Sequence, residues 1–267
     1  MKKRLDVILF EKKFFDSREK AKVAIMEGLV FVDNQKSDKP GAMYGEDCKI
    51  EVRNNKLRYV SRGGLKLEKA LDVFHIDLNG IVAMDIGAST GGFTDCMLQN
   101  GCEKVYAIDV GYGQLDWKLR NDSRVVNLER TNIRYIDKSL IKDDIDFFSI
   151  DVSFISLKLV LPVVREIIRD GALGVCLIKP QFEAGREKVG KKGVVRDRET
   201  HKEVVDSICE FCVQNGFAVL SVDFSPVKGP EGNIEYLLLV KKSDNPYIDE
   251  PVDVENIVDF SHENLKP

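Results

Sequence analysis

The sequence contains no uninterrupted apolar run approaching the roughly eighteen residues that span a bilayer, and its opening MKKRLDVILF offers neither a long apolar region nor a cleavage site. A soluble, cytoplasmic chain with no membrane role is the expectation. A cysteine framework is also missing: Cys48, Cys96, Cys102, Cys176, Cys209 and Cys212 are scattered through 267 residues, which suits free thiols in a reducing compartment. Cys209 and Cys212 form a CxxC inside a helical pattern, with no second pair at ligand spacing, so buried helix-face thiols and no metal are expected. Internal repeats and low-complexity stretches are absent, which excludes repeat architectures and leaves ordinary globular units.

The chain also has little net charge, −4 in total. That sum hides its distribution. Residues 244–267 carry seven acids and one base, whereas residues 1–70 carry seventeen bases and eleven acids. The positive excess is N-terminal, and the last segment reads as a solvated acidic tail.

Residues 1–60 form one unit by pattern. Leu5, Ile8 and Leu9 have helical spacing, Asp16 or Ser17 caps a second helix through SREKAKVAIMEG, and Gly28 closes it. The apolar run Leu29 to Val32, a polar turn containing Asp33, Asn34, Gln35 and Lys36, and a strand near residues 49–52 complete it. About sixty residues lies near the lower limit for independent folding. RLD, SREKA and EGLVFVDN resemble the S4 RNA-binding fold, and on that resemblance Arg4, Arg18, Lys20 and Lys22 would contact phosphate. The plainer alternative is a solvated basic helix face.

After the junction Arg-Tyr-Val-Ser-Arg (58–62), where Arg62 is a further expected RNA contact, and Gly63-Gly64, residues 61–243 alternate strands and helices. Strands are expected near 81–86, 104–109, 124–127, 145–150, 172–178, 217–224 and 234–241. Continuous apolar runs such as IVAMDI and ALGVCLI mean that helices cover both sheet faces, as in a doubly wound, Rossmann-like α/β domain.

The first of these strands ends at Asp85 and opens into Gly87-Ala88-Ser89-Thr90-Gly91-Gly92-Phe93 before a helix. Such a loop lets backbone approach a ligand closely. It is not GxGxxG, which disfavours a nicotinamide enzyme, and the acid before the first glycine is typical of sites for S-adenosylmethionine. Asp109 ends the next strand, where a carboxylate can accept both ribose hydroxyls of an adenosine, with Gly111, Tyr112 and Gln114 following. Helix capping is the structural alternative for both acids.

Asp151 and Lys179 each end an apolar strand, at the edge where open α/β sheets bind ligands. Lys66 lies on the helix before the first strand and Glu235 in the last expected strand. Any one of them alone reads as an ordinary ion pair. Taken with SRGGLKL, DIGASTGGFTD, AIDVGYGQLDWKLRND, LERTN, DVSFISL, IKPQFE and GNIEYLL, however, they make the chain similar to the TlyA, or hemolysin A, family along nearly its whole length. That family joins an S4 domain to an FtsJ-like methyltransferase domain. The resemblance implies 2′-O-methylation of cytidine in ribosomal RNA, of the large subunit and in some members the small one too. It also implies a Lys-Asp-Lys-Glu tetrad falling on Lys66, Asp151, Lys179 and Glu235, with Asp151 bordering the cofactor as well. Lys179 would then take the hydroxyl proton while the two acids orient the lysines. Two rivals stand beside this: a non-catalytic RNA-binding or assembly factor on the same fold and, remotely, membrane lysis.

Overall fold

The computed structural model describes residues 2–26, 28–33, 35–45, 47–52, 58–229, 231–249 and 252–265. They form two compact units, Met1–Arg58 and Tyr59–Pro267.

In the first unit β1 (Lys2–Arg4) runs directly into α1 (Leu5–Glu11), followed by α2 (Arg18–Met26), β2 (Val30–Val32), β3 (Gln35–Lys36), β4 (Met43–Gly45) and β5 (Ile50–Val52). Leu5, Leu9, Ala21, Ala24 and Ile25 close against Val30 and Val32 to make its core. The second helix stops where Gly28 adopts φ +72°, a conformation that glycine takes without a Cβ clash, and its N–H reaches Ile25 O at 2.9 Å. β2 lies between β3 and β5, antiparallel to both, and β1 pairs with β4. The polar turn of the sequence reading includes Asn34, which lies outside the described residues. Strands β1, β3 and β4 were not anticipated, because runs of two or three residues are too short to show alternation.

The second unit contains α3 (Gly64–Val73), β6 (Val82–Ile86), α4 (Gly92–Gln99), β7 (Lys104–Ile108), α5 (Trp117–Arg120), β8 (Val125–Leu128) and β9 (Phe147–Ile150). It continues with α6 (Leu161–Arg165), β10 (Leu173–Ile178), α7 (Pro180–Glu183), α8 (Arg198–Gln214), β11 (Phe217–Phe224), β12 (Tyr236–Lys242) and α9 (Val254–Asn264). All seven strands join one sheet in the order β11-β12-β10-β9-β6-β7-β8. β12 is antiparallel to both neighbours, while the pairings among β6, β7, β8, β9 and β10 are parallel. Successive side chains sort to opposite faces: Ala83, Val105, Phe147 and Val175 meet α3 and α4 residues, while Met84, Tyr106, Phe148 and Cys176 meet those of α6 and α8. Cys209 and Cys212 are buried free thiols of that second core, and desolvation raises both.

The acidic C-terminal segment is not a solvated appendage. Val254, Ile257, Val258 and Ser261 recur at helical spacing along α9, with Leu265 just past its end, and Val258 and Ser261 are fully buried against the sheet unit. The acids occupy the other side, where Asp259 pairs with Arg198 at 3.3 Å and Glu255 with Lys202 at 3.2 Å. Upstream, Val219 N donates to Tyr247 O and Asp249 N to Val219 O, which adds a short parallel bridge beside β11. The Ser261 hydroxyl lies 3.2 Å from the Tyr236 hydroxyl, which also meets His201 Nδ1 at 2.7 Å. Summing charge over the segment concealed its apolar stripe. A chain ending at Ser243 should therefore be less stable by at least about 2 kcal/mol, the order of burying one valine completely. Denaturant titration of the two lengths measures this, and equal midpoints and slopes would show that α9 contributes nothing to the core.

Candidate active site

The sheet order reverses at the neighbouring strands β6 and β9, so the loops after them border the crevice where open α/β sheets take ligands. After β6 the chain turns at Gly87, φ +85°, where an added Cβ would lie 2.4 Å from the carbonyl oxygen of Asp151. Only glycine permits that approach. The same glycine loop passes close to α3, since a Cβ on Gly92 would sit 2.3 Å from Ser61 Oγ and 2.8 Å from Gly64 N.

Asp109, half-buried after β7, accepts from Ser89 N and Gly111 N, both at 2.7 Å, and Ser89 Oγ lies 3.4 Å from Gln114 Oε1. Its carboxylate therefore locks the glycine loop against the next turn while keeping lone pairs for a ligand. Gln114 N in turn donates to Glu129, whose carboxyl Arg120 holds down at about 2. A cavity of about 470 Å³ opens here, with Ser89, Asp109, Gln114, Asn132 and Asp151 as polar edges and Ile86, Ile108, Ile133, Val152 and Ile155 as apolar walls. Phe154 also lines it, 91% exposed at φ +64°, an uncommon conformation for a bulky residue, with its ring 5.0 Å from that of Phe182.

Asp85 does not occupy the place expected of a direct cofactor ligand. It is fully buried beneath the loop, accepting from Thr94 Oγ1 at 2.6 Å and Ser149 Oγ at 3.0 Å, and burial pushes its carboxyl up to about 6 despite those bonds. Its role here is to tie β6 to α4 and β9. Gly91 is likewise packed inward, against Leu115 and Leu119, whereas Ala88 and Phe93, though largely buried, still line the neighbouring cleft. Thr90 is exposed at the rim of the neighbouring cleft.

That cleft, about 220 Å³, shares Gly87, Ser89, Asp151 and Ser153 with the larger cavity and is lined by Ser61, Lys66, Lys179 and Glu235 besides. The four candidate catalytic residues form a chain of contacts in it. Lys66 Nζ sits 2.6 Å from Glu235 Oε2 and 3.6 Å from Asp151 Oδ2, and Lys179 Nζ sits 2.5 Å from Asp151 Oδ1 and 3.2 Å from Ser153 Oγ. Lys66, Lys179 and Glu235 are buried, at 8%, 7% and 1% exposure, so each charge depends on its neighbours. Burial alone would lower the Lys66 ammonium, but Asp151 and Glu235 outweigh it and hold it above its ordinary value. Glu235 precedes β12 rather than lying within it, fixed by its carbonyl, which accepts from Ser225 N.

The bases assigned to RNA all have partners or positions that the sequence did not disclose. Arg4 and Arg18 both bind Asp6, Lys20 pairs with Asp16 at 3.0 Å, and Lys22 with Glu19 at 3.4 Å. Arg62 is exposed just ahead of α3 and does not line either cavity. Sequence reasoning missed Ser61, Ser153, Asn132 and the Asp85 partners Thr94 and Ser149. Only closeness to a chosen motif, as Ser153 stands two positions after Asp151, could have suggested them.

Comparison with known proteins matches residues 59–242 to the FtsJ-like methyltransferase family model and residues 3–47 to the S4 domain. YqxC of Bacillus subtilis is 52% identical over 238 residues, 89% of this chain and 85% of that protein. The 16S/23S rRNA (cytidine-2'-O)-methyltransferase TlyA of Mycobacterium tuberculosis is 41% identical over 239 residues, 89% of each chain. A solved Streptococcus thermophilus structure described as a hemolysin is 47% identical and superposes with a TM-score of 0.79 over 98% of this chain and 96% of its own. Among the described residues no helix is long and apolar enough to cross a membrane.

The buried acid supplies a test of this geometry. Because the folded Asp85 binds its proton up to about pH 6, above the ordinary carboxylate range, the native state holds more protons than the unfolded chain between roughly pH 4 and 6. Stability from this group is therefore greatest at the acid end of that window and declines as pH rises through it. Melting curves should show wild type gaining on Asp85→Asn as pH falls from 7 to 4.5, and parallel curves would place the carboxyl in water.

Proposed function

Since this chain belongs to the FtsJ-like methyltransferase family, we propose that it methylates the ribose 2′-hydroxyl of cytidine in ribosomal RNA, with S-adenosylmethionine as donor and the S4 unit holding the RNA. The carrying observation is the Lys66, Asp151, Lys179, Glu235 chain, which adjoins a nucleoside-sized cavity across a shared wall at Gly87 and Asp151. The cavity suits the donor: Asp109 stands where a ribose diol would be accepted, the aliphatic walls suit an adenine, and Asp151 lies beside the end that would hold cationic groups. When bound, S-adenosylmethionine supplies an electrophilic methyl group.

The residues divide the remaining work. Lys66, caught between two carboxylates, stays an ammonium and keeps the acids oriented. Lys179 touches only one carboxylate of the tetrad and the Ser153 hydroxyl, so it is the lysine placed, once its ammonium has released a proton to solvent, to accept the 2′-hydroxyl proton at Nζ. Asp151 stabilises the ammonium that forms, and with two lysines and two acids the cleft is electrically balanced around it. Among the rival readings, a non-catalytic assembly factor has no need of four desolvated charges at this wall. On this reading the protein acts in the cytoplasm, on ribosomal subunits or their RNA.

Lys66→Ala and Lys179→Ala should each keep S-adenosylmethionine affinity within a few fold while single-turnover methylation falls by about 10²-fold or more, whereas Asp151→Ala, which also borders the donor cavity, should lose both turnover and donor affinity. The modified nucleotide should resist alkaline cleavage, and RNA carrying a 2′-deoxy sugar at that nucleotide should bind and accept no methyl. Mass spectrometry that placed the methyl on the base, or normal turnover of the deoxy substrate, would overturn the assignment.

A further inference from the structure

Asp6 is the one fully buried acid among the described residues of the first unit, and both of its carboxylate oxygens are taken by arginines. Arg4 grips it with two parallel bonds, Nε to Oδ1 at 3.0 Å and Nη2 to Oδ2 at 3.2 Å, and Arg18 adds Nη2 to Oδ2 at 3.0 Å. The arginine side chains remain 49% and 44% exposed. Three N–H groups point at Asp6, and a guanidinium has five, so most of the donors on both forks remain available to an outside acceptor. The carboxylate itself cannot move far. Leu5 N donates to Ala42 O and Asp6 N to Pro40 O, which pins the start of α1, while Arg4 is held in β1 opposite Met43.

A structural staple between the two helices is the simpler account, and it does not suffice. Leu5, Leu9, Ala21, Ala24 and Ile25 already bring α1 and α2 together, and burying a carboxylate whose partners are half in water is a weak way to add stability. The arrangement does something that free surface arginines cannot: it orders two rotamer-rich side chains before any ligand arrives. One negative and two positive charges leave a net positive site, with planar forks suited to bidentate phosphate recognition.

We propose that Asp6 is a positioning residue for RNA: a buried carboxylate that sets Arg4 and Arg18 as a preformed pair of guanidinium forks for backbone phosphate. This rests on the first unit being the RNA-holding part of the enzyme, and it adds that orientation, beyond charge, governs the contact. The two ideas predict opposite signs. Asp6→Asn raises the unit's charge by one, so arginines acting only as charges would bind RNA as tightly or more tightly. Preformed forks would instead be released, and binding would weaken.

The measurement is the affinity of the full chain for protein-free large-subunit rRNA at fixed ionic strength, with melting curves to confirm folding. Asp6→Asn should weaken binding about tenfold, Arg4→Lys and Arg18→Lys should do the same although charge is kept, and Asp6→Asn should add little on top of Arg4→Ala with Arg18→Ala. If Asp6→Asn unfolds the unit, the two lysine variants decide the matter alone, because they leave Asp6 in place. Unchanged or tighter binding by folded Asp6→Asn, or wild-type binding by both lysine variants, overturns the positioning role even if the alanine variants bind poorly. Wild-type binding by the double alanine variant overturns it differently, by showing that RNA does not use this face.

Discussion

Four charges removed from water in one cleft can be tolerated only together. Lys66 arrives on a helix, Asp151 and Lys179 on the ends of adjacent parallel strands, and Glu235 on the turn into an antiparallel one, so no local segment of chain can satisfy any of them. Deleting one partner strands its neighbours in a medium that penalises an unpaired charge by several kcal/mol. The strand order brings the carboxyl ends of β9 and β10 beside the start of β12, where these charges can pair. Gly87 serves the same convergence, because any side chain there would push the Asp151 backbone away from the loop.

Much of the larger unit was legible because its strands are apolar throughout and its candidate catalytic charges interrupt them abruptly. Asp151 after FFSI and Lys179 after LGVCLI stand out because desolvated charges at strand ends have few structural uses. Three things were not legible, each for a physical reason. The direction of β12 was hidden, since an apolar run buried on both faces looks the same in either orientation. Asp85 was misplaced, because whether a carboxylate after a strand faces a ligand or the protein interior depends on Thr94 and Ser149, which are ordinary residues in the sequence. The C-terminal helix was lost in a charge sum that gave its acids weight and its apolar stripe none.

The bases of the first unit illustrate a related blindness. They are exposed but not free, and a count of lysines and arginines does not reveal Asp6, Asp16 and Glu19 beside them. Pairing does not remove such residues from a role with RNA. It changes what they present, from mobile charges to groups with a set direction, and ties their availability to the acids that hold them.

The contact between Ser261 and Tyr236 has a consequence for how the protein is made. Tyr236 follows Glu235 directly, and the sheet face beneath it is closed only when Val258 docks. A ribosome must therefore translate beyond residue 261, and release that segment from its exit tunnel, before the larger unit can complete the core behind its reaction site, whereas the first unit has its own core within the opening sixty or so residues. The two units of this protein accordingly mature at opposite ends of its own translation.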